Sequence, residues 1–292
     1  MTTITNQVLR VDVSEIGAEM QSLKLVSDDR ELLWQGDAAY WHGRSPILFP
    51  AVGGLWNGHF RHNGLSYALP KHGFMRRKTW NVAHYDEDRV TLEYVDGGED
   101  RDAFPWPYIV RVTYTLEGRT LRADFEVVNT GHDTFFFQMG GHPGFSLPDF
   151  DPSSTAPDGF LQLHGTPRGV RRAGKQGCTE AAFYDFPLTA DGLVPLGVDT
   201  FAHEALIFDE HQLTGATLLD KQQRPLVRVE STAPVWLFWS PQGVHAPFVC
   251  AEPWYGLCDP IGFDGTLSER PYINRLDGGE TWHGGYRIDV LL

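Results

Sequence analysis

A histidine held between glycines and a proline is the first group in this chain that could move a proton. It is His142, in Gly140-Gly141-His142-Pro143-Gly144-Phe145, directly after the aromatic run Thr134-Phe135-Phe136-Phe137-Gln138. Stiff backbone and few crowding neighbours present an imidazole well to a small ligand. A loop histidine satisfied by backbone would look the same in sequence. Glu252 is the matching carboxylate. It follows Phe248-Val249-Cys250-Ala251 and precedes Pro253-Trp254, which predicts a glutamate at the end of a buried strand. Burying an unpaired carboxylate is costly, so it needs a partner or a ligand; a structural glutamate bonded to backbone is the alternative. His72, in Lys71-His72-Gly73-Phe74, repeats the pattern of histidine, glycine and aromatic. Arg44 stands just before an apolar segment, where a guanidinium could reach a cleft or form a surface salt bridge. Trp254 and Tyr255 offer flat apolar faces that suit the C–H face of a sugar, or the core.

Other chemistries lack their signatures. There is no His-Glu-x-x-His and no Cys-x-x-Cys, and His59 and His62 flank turns without an obvious third ligand, so no metal centre is predicted. No Walker-type run, no strand-borne Gly-x-Gly-x-x-Gly and no Gly-x-Ser-x-Gly elbow occurs. Lys71, Arg76 and Arg77 form a local basic cluster in an otherwise acidic chain. Such a cluster could meet a phosphate or simply be solvated.

The elements that must position these groups read as strands. With 31 Gly, 19 Pro and 13% aromatic residues among 292, tight turns and strands are favoured over long helices. Val8–Val13 and Gly17–Leu25 alternate with period two, and Asp28-Asp29 reads as a hairpin turn before Glu31–Trp34. Two strands surround Asp86-Glu87-Asp88, and residues 108–116 and 120–128 form a hairpin through Glu117-Gly118. Residues 148–200 carry few periodic signals, and Phe201–Phe208 fits either helix or strand. No linker or repeat divides the chain. A single-domain, all-β antiparallel sandwich over residues 1–292 is the economical reading.

A net charge of −14 argues against nucleic acid as a partner, and no apolar run approaches the ~20 residues of a membrane span. The N-terminus has no basic start with an apolar core. Three cysteines (Cys178, Cys250, Cys258) read as reduced thiols, so a cytoplasmic protein is expected, either a monomer or a weak dimer.

Taken together, His72-Gly73-Phe74, Gly141-His142-Pro143 and Glu252-Pro253-Trp254 resemble the aldose 1-epimerase (galactose mutarotase-like) family, most closely its LacX-like branch. The resemblance runs from Gly17–Leu23 through Pro46–Pro50, Lys71–Phe74, Gly141–Phe145 and Cys250–Gly256 to Leu276–Glu280. It implies a large antiparallel β-sandwich with a sugar cleft. The implied activity is cofactor-independent interconversion of the α and β anomers of a free aldose. Glu252 would be the base at the C1 hydroxyl, and His142 the acid at the ring oxygen. His72 would bond near that oxygen, and Arg44 would hold hydroxyls. Glu204 would stand where the family often has an aspartate. A carboxylate neighbour should raise the His142 pKa and favour its acid form. The basic cluster keeps a hexose-6-phosphate 1-epimerase open, and a sugar-binding protein without turnover is the reading from another class.

Overall fold

The computed structural model describes all 292 residues. It is built from antiparallel strands, with single-turn 3-10 segments as its only helices. Two sheets dominate. One has nine strands, in the order Val194–Leu196, Gly159–Gly165, Leu213–Leu219, Pro225–Glu230, Thr281–Val290, Thr120–Asn129, Tyr108–Glu117, Arg89–Val95 and Asn81–Tyr85. The other has Arg171–Arg172, Leu206–Phe208, Val235–Trp239, Phe248–Tyr255, Met139–Gly141 and Ile47–Leu48 in line, and Gly144–Ser146 also pairs with Phe248–Tyr255. An N-terminal meander of three strands (Thr2–Thr5, Leu9–Val13, Met20–Leu25) completes the larger elements.

Period-two patterning explains which faces meet. In Tyr108–Glu117 every second residue is buried, and Thr120–Asn129 alternates in the same way opposite it. Val110, Val112, Tyr114, Leu121 and Phe125 therefore face inward. They join Val249, Ala251 and Tyr255 of the second sheet in one apolar cluster that extends from Ile4 to Val290. This is the sandwich core, and burial of such surface is the main favourable term in folding. The opposite face of the second sheet carries a smaller set, including Leu48, Ile207, Val235, Leu237 and Trp254. Alternation along Phe248–Tyr255 divides the strand between the two: Cys250, Glu252 and Trp254 lie on the outer face.

Several expectations change. Phe201–Phe208 is no helix; a turn runs to Glu204, and the strand is Leu206–Phe208. Glu252 is not at a strand end but in the middle of Phe248–Tyr255, with Pro253 inside the same strand. Glu31–Trp34 contributes only isolated bridges. The 148–200 stretch, thin in periodic signal, supplies Gly159–Gly165 and two short strands.

One buried ion pair fastens the loops behind the second sheet. Arg270 donates through Nε to Asp259 Oδ1, and both side chains are buried. The other Asp259 oxygen accepts the Trp56 N–H at 2.9 Å. Removing one partner of a buried pair leaves an uncompensated charge. Arg270→Ala should therefore cost about 3–5 kcal/mol, measured as a drop in the urea midpoint. An unchanged midpoint would mean that the pair does not hold these loops.

Candidate active site

His142 and Glu252 come together through strand register. Met139–Gly141 and Gly144–Ser146 both run antiparallel along Phe248–Tyr255. Gly140 pairs with Trp254, and Gly144 with Cys250. Between those pairs the register places His142 directly opposite Glu252. Directly opposed side chains start about 4.5–5.5 Å apart at Cβ, and here His142 Nε2 lies 3.2 Å from Glu252 Oε2. Close packing fixes the histidine's approach: a Cβ at Gly141 would come within 2.4 Å of the Tyr286 ring, and one at Gly140 within 2.8 Å of Trp254. The Pro143 carbonyl accepts the Ala251 N–H at 3.1 Å and closes the gap between the two short strands.

Aromatic rings surround the imidazole. Trp41 stacks on it at 4.9 Å, and Trp239 meets it edge-on at 5.9 Å. His72 approaches from a third side at 5.7 Å. His72 is itself held by a reciprocal pair of bonds: its N–H donates to the Gly53 carbonyl at 2.9 Å, and its Nδ1 accepts the Gly53 N–H at 3.1 Å. With Nδ1 accepting, the neutral ring carries its proton on Nε2 and presents a donor.

These groups line a cavity of about 230 Å³, below the ~300–1,000 Å³ of drug-sized ligand pockets and suited to one monosaccharide. Trp254 and Glu204 line it as well. Arg44 does not. Its Nη1 donates to the Gln21 carbonyl at 2.7 Å, and its backbone N–H bonds Glu19 at 2.9 Å, so the expected hydroxyl-holding arginine is tied to the N-terminal sheet. The arginine on the wall is Arg76, beside Lys71. Its Nη2 donates to the Lys71 carbonyl at 3.2 Å, and neither cation has a carboxylate within ion-pair distance. Trp41 and Trp239 are wall aromatics that the sequence reading did not assign to the site, and Lys71 and Arg76 entered it only through the hexose-6-phosphate alternative. Arg76 had a signal in its basic cluster; Arg77 of that cluster is exposed and off the wall.

Burial reverses the expected protonation. Desolvation drives the His142 pKa down to about 3, against a smaller upward pull from a backbone hydrogen bond. Desolvation also raises Glu252 well above the usual carboxylate range, opposed by the charge of Lys71. The Trp254 indole N–H approaches the same carboxylate without completing a hydrogen bond. His72 is lowered well below 6.5, first by burial and then by the nearby His142, Lys71 and Arg76. Both shifts run toward the neutral form, carboxylic acid at Glu252 and neutral imidazole at His142. Geometry leaves His142 Nδ1 and Glu252 Oε2 buried without a hydrogen-bond partner, as expected of groups that await a ligand.

Linkage gives a stability prediction. A carboxyl whose folded pKa is raised contributes stability below its unfolded pKa, about 4.5, and loses it as pH rises toward the folded value. At neutral pH Glu252 is therefore a cost. Glu252→Gln should raise the unfolding free energy at pH 7 and lose that gain near pH 4. Equal gains at both pH values in urea titrations would contradict the raised pKa.

Comparison with known proteins identifies the family. The family described as aldose 1-epimerase matches residues 1–262. The chromosomally encoded protein LacX of Lactococcus lactis subsp. lactis is 26% identical over 99% of this chain and 98% of its own length. The structure of a galactose mutarotase-related enzyme from Lactobacillus acidophilus superposes with a TM-score of 0.88 at 30% identity, covering 99% of this chain and 96% of that one. A galactose mutarotase-like protein from Lactobacillus casei gives a TM-score of 0.92 at 26% identity, covering 99% of each chain. The chain belongs to the aldose 1-epimerase family.

Proposed function

We propose that the protein is an aldose 1-epimerase that exchanges the α and β anomers of a free aldose, with His142 and Glu252 as its acid–base pair. The observation that carries this reading is the 3.2 Å contact between an imidazole and a carboxyl on the wall of a sugar-sized cavity. Ring opening takes one proton from the C1 hydroxyl and gives one to the ring oxygen. Glu252 as carboxylate accepts the first, and His142 as imidazolium supplies the second. The C1–O5 bond breaks and an open-chain aldehyde forms. At that point Glu252 is protonated and His142 neutral, the forms that burial favours for each. After rotation about C1–C2, Glu252 returns its proton to the aldehyde oxygen, while His142 takes one from the attacking hydroxyl.

The resting protein therefore matches the open-chain intermediate better than the closed ring, and differential binding of this kind lowers barriers. Opening a closed sugar first needs a proton to cross from Glu252 to His142. Sugar hydroxyls donating to the carboxylate, together with the field of Lys71, favour that transfer. His72 Nε2–H would donate near the ring oxygen, Trp254 would pack on the sugar, and Glu204 would accept hydroxyls.

Polarimetry on fresh α-D-galactose, with chelator present, tests the reading. His142→Ala and Glu252→Gln should each lose at least ~100-fold in kcat/KM, whereas Arg44→Ala should stay within about threefold. The rate should form a plateau across neutral pH with no inflection near 6.5. Its acid limb should follow His142 at about 3, and its alkaline limb the loss of the Glu252 proton. Unchanged rates in both variants would remove the assignment.

A second reading has its own support. Lys71 and Arg76 put two unpaired cations on the cavity wall of a chain with net charge −14. Arg76 is partly desolvated, and burial lowers its pKa. Unpaired charge in such a place favours an anionic ligand, so the sugar would be a hexose 6-phosphate. Saturation-transfer NMR on glucose and glucose 6-phosphate discriminates the two. Under the phosphate reading, Arg76→Ala raises KM for the phosphorylated sugar at least tenfold and leaves KM for the free sugar alone.

A further inference from the structure

The outer face of Phe248–Tyr255 presents a third group beside the acid–base pair. Cys250 lies two residues before Glu252, so both side chains leave the strand on the same side. Its register partner is Gly144, which has no side chain to cover it. The thiol is free and fully buried, and one ligand atom from each of His142, Cys250 and Glu252 lies within 4.8 Å of the other two. A sugar has no use for the sulfur. Glu252 Oε2, left without a hydrogen-bond partner, belongs to a residue more than nine-tenths buried and faces His142 Nε2 at 3.2 Å. Imidazole, thiolate and carboxylate are together the donor set of a borderline-soft divalent cation.

We propose that His142, Cys250 and Glu252 form a binding site for Zn²⁺, and that zinc bound there excludes the sugar. A tetrahedral zinc, with bonds of about 2.0–2.3 Å, holds its ligand atoms roughly 3.3–3.8 Å apart. His142 Nε2 and Glu252 Oε2, at 3.2 Å, are already near that spacing, so the thiol is the group that draws in. The fourth position faces the cavity, where water completes the shell. Binding expels the thiol proton and the Glu252 proton to solvent, with no change of oxidation state. Zinc then occupies the lone pairs that would exchange protons with C1 and the ring oxygen. The exclusion rests on the proposed function; the binding does not.

Two measurements on the intact chain keep these apart. In the first, Co²⁺ replaces zinc as a spectroscopic probe. Wild-type protein should give a thiolate-to-cobalt charge-transfer band in the near ultraviolet at one equivalent. Cys250→Ser and Cys250→Ala should abolish the band and weaken zinc binding at least tenfold by calorimetry. Cys258→Ser, which alters the cysteine on the cavity wall, should keep both. No band in wild type, or equal zinc affinity in the Cys250 variants, overturns the site. In the second, Zn²⁺ should inhibit anomer exchange competitively with sugar and reversibly with chelator. Cys250→Ser should turn over within about threefold of wild type and resist zinc at least tenfold better. Cys250-dependent binding that leaves the rate untouched would overturn the exclusion, while absence of anomer exchange at any zinc concentration would count against the proposed function alone.

Discussion

The site depends on one register. Two three-residue strands, Met139–Gly141 and Gly144–Ser146, are laid along the same long neighbour, with His142-Pro143 between them. Because side chains in a sheet repeat every two residues, a slip of one position would turn Glu252 into the core and bring Ala251 or Pro253 opposite His142. The slip is opposed from both faces. Val249, Ala251 and Tyr255 are committed to the sandwich core, and Trp254 to the outer cluster. The proline removes a backbone donor at the gap, and the strand continues beyond it. The contact between His142 and Glu252 thus inherits the stability of the whole sandwich, although His142 itself sits between two short strands.

Burial then decides what that contact is. In water, a glutamate beside a histidine would settle as carboxylate and imidazolium. Here both groups are almost fully desolvated, and desolvation is the largest influence on each, opposing its charge. Two neutral groups cost less to bury than two ions.

Around this neutral centre the wall is cationic at one side and aromatic at the other. Trp41, Trp239 and His72 hold the imidazole in place, leaving rotation of its ring sterically expensive. Lys71 and Arg76 come from the loop that also carries His72, so the basic side of the cavity and the donor histidine move as one piece, fixed through Gly53. Gly73 is essential to that loop: it adopts φ +67°, and a Cβ there would meet the Phe49 carbonyl oxygen at 2.1 Å.

Much was legible in the chain itself. Alternation in Tyr108–Glu117 and Thr120–Asn129 dictated the central hairpin, because period-two burial has no other regular solution. The odd settings of His72, His142 and Glu252, and the order of the motifs around them, marked the family and the three buried polar groups. What the sequence could not carry was distance. Arg44 and Arg76 look equivalent as residues beside apolar segments, and only long-range packing turns one onto the Gln21 carbonyl and the other onto the cavity wall. Trp41 and Trp239 read as ordinary apolar residues until sheet pairing brings them against His142. The protonation of the acid–base pair was likewise out of reach, since local sequence reports which charges are near but not how much water has been removed, and here the missing water outweighs the neighbouring charge.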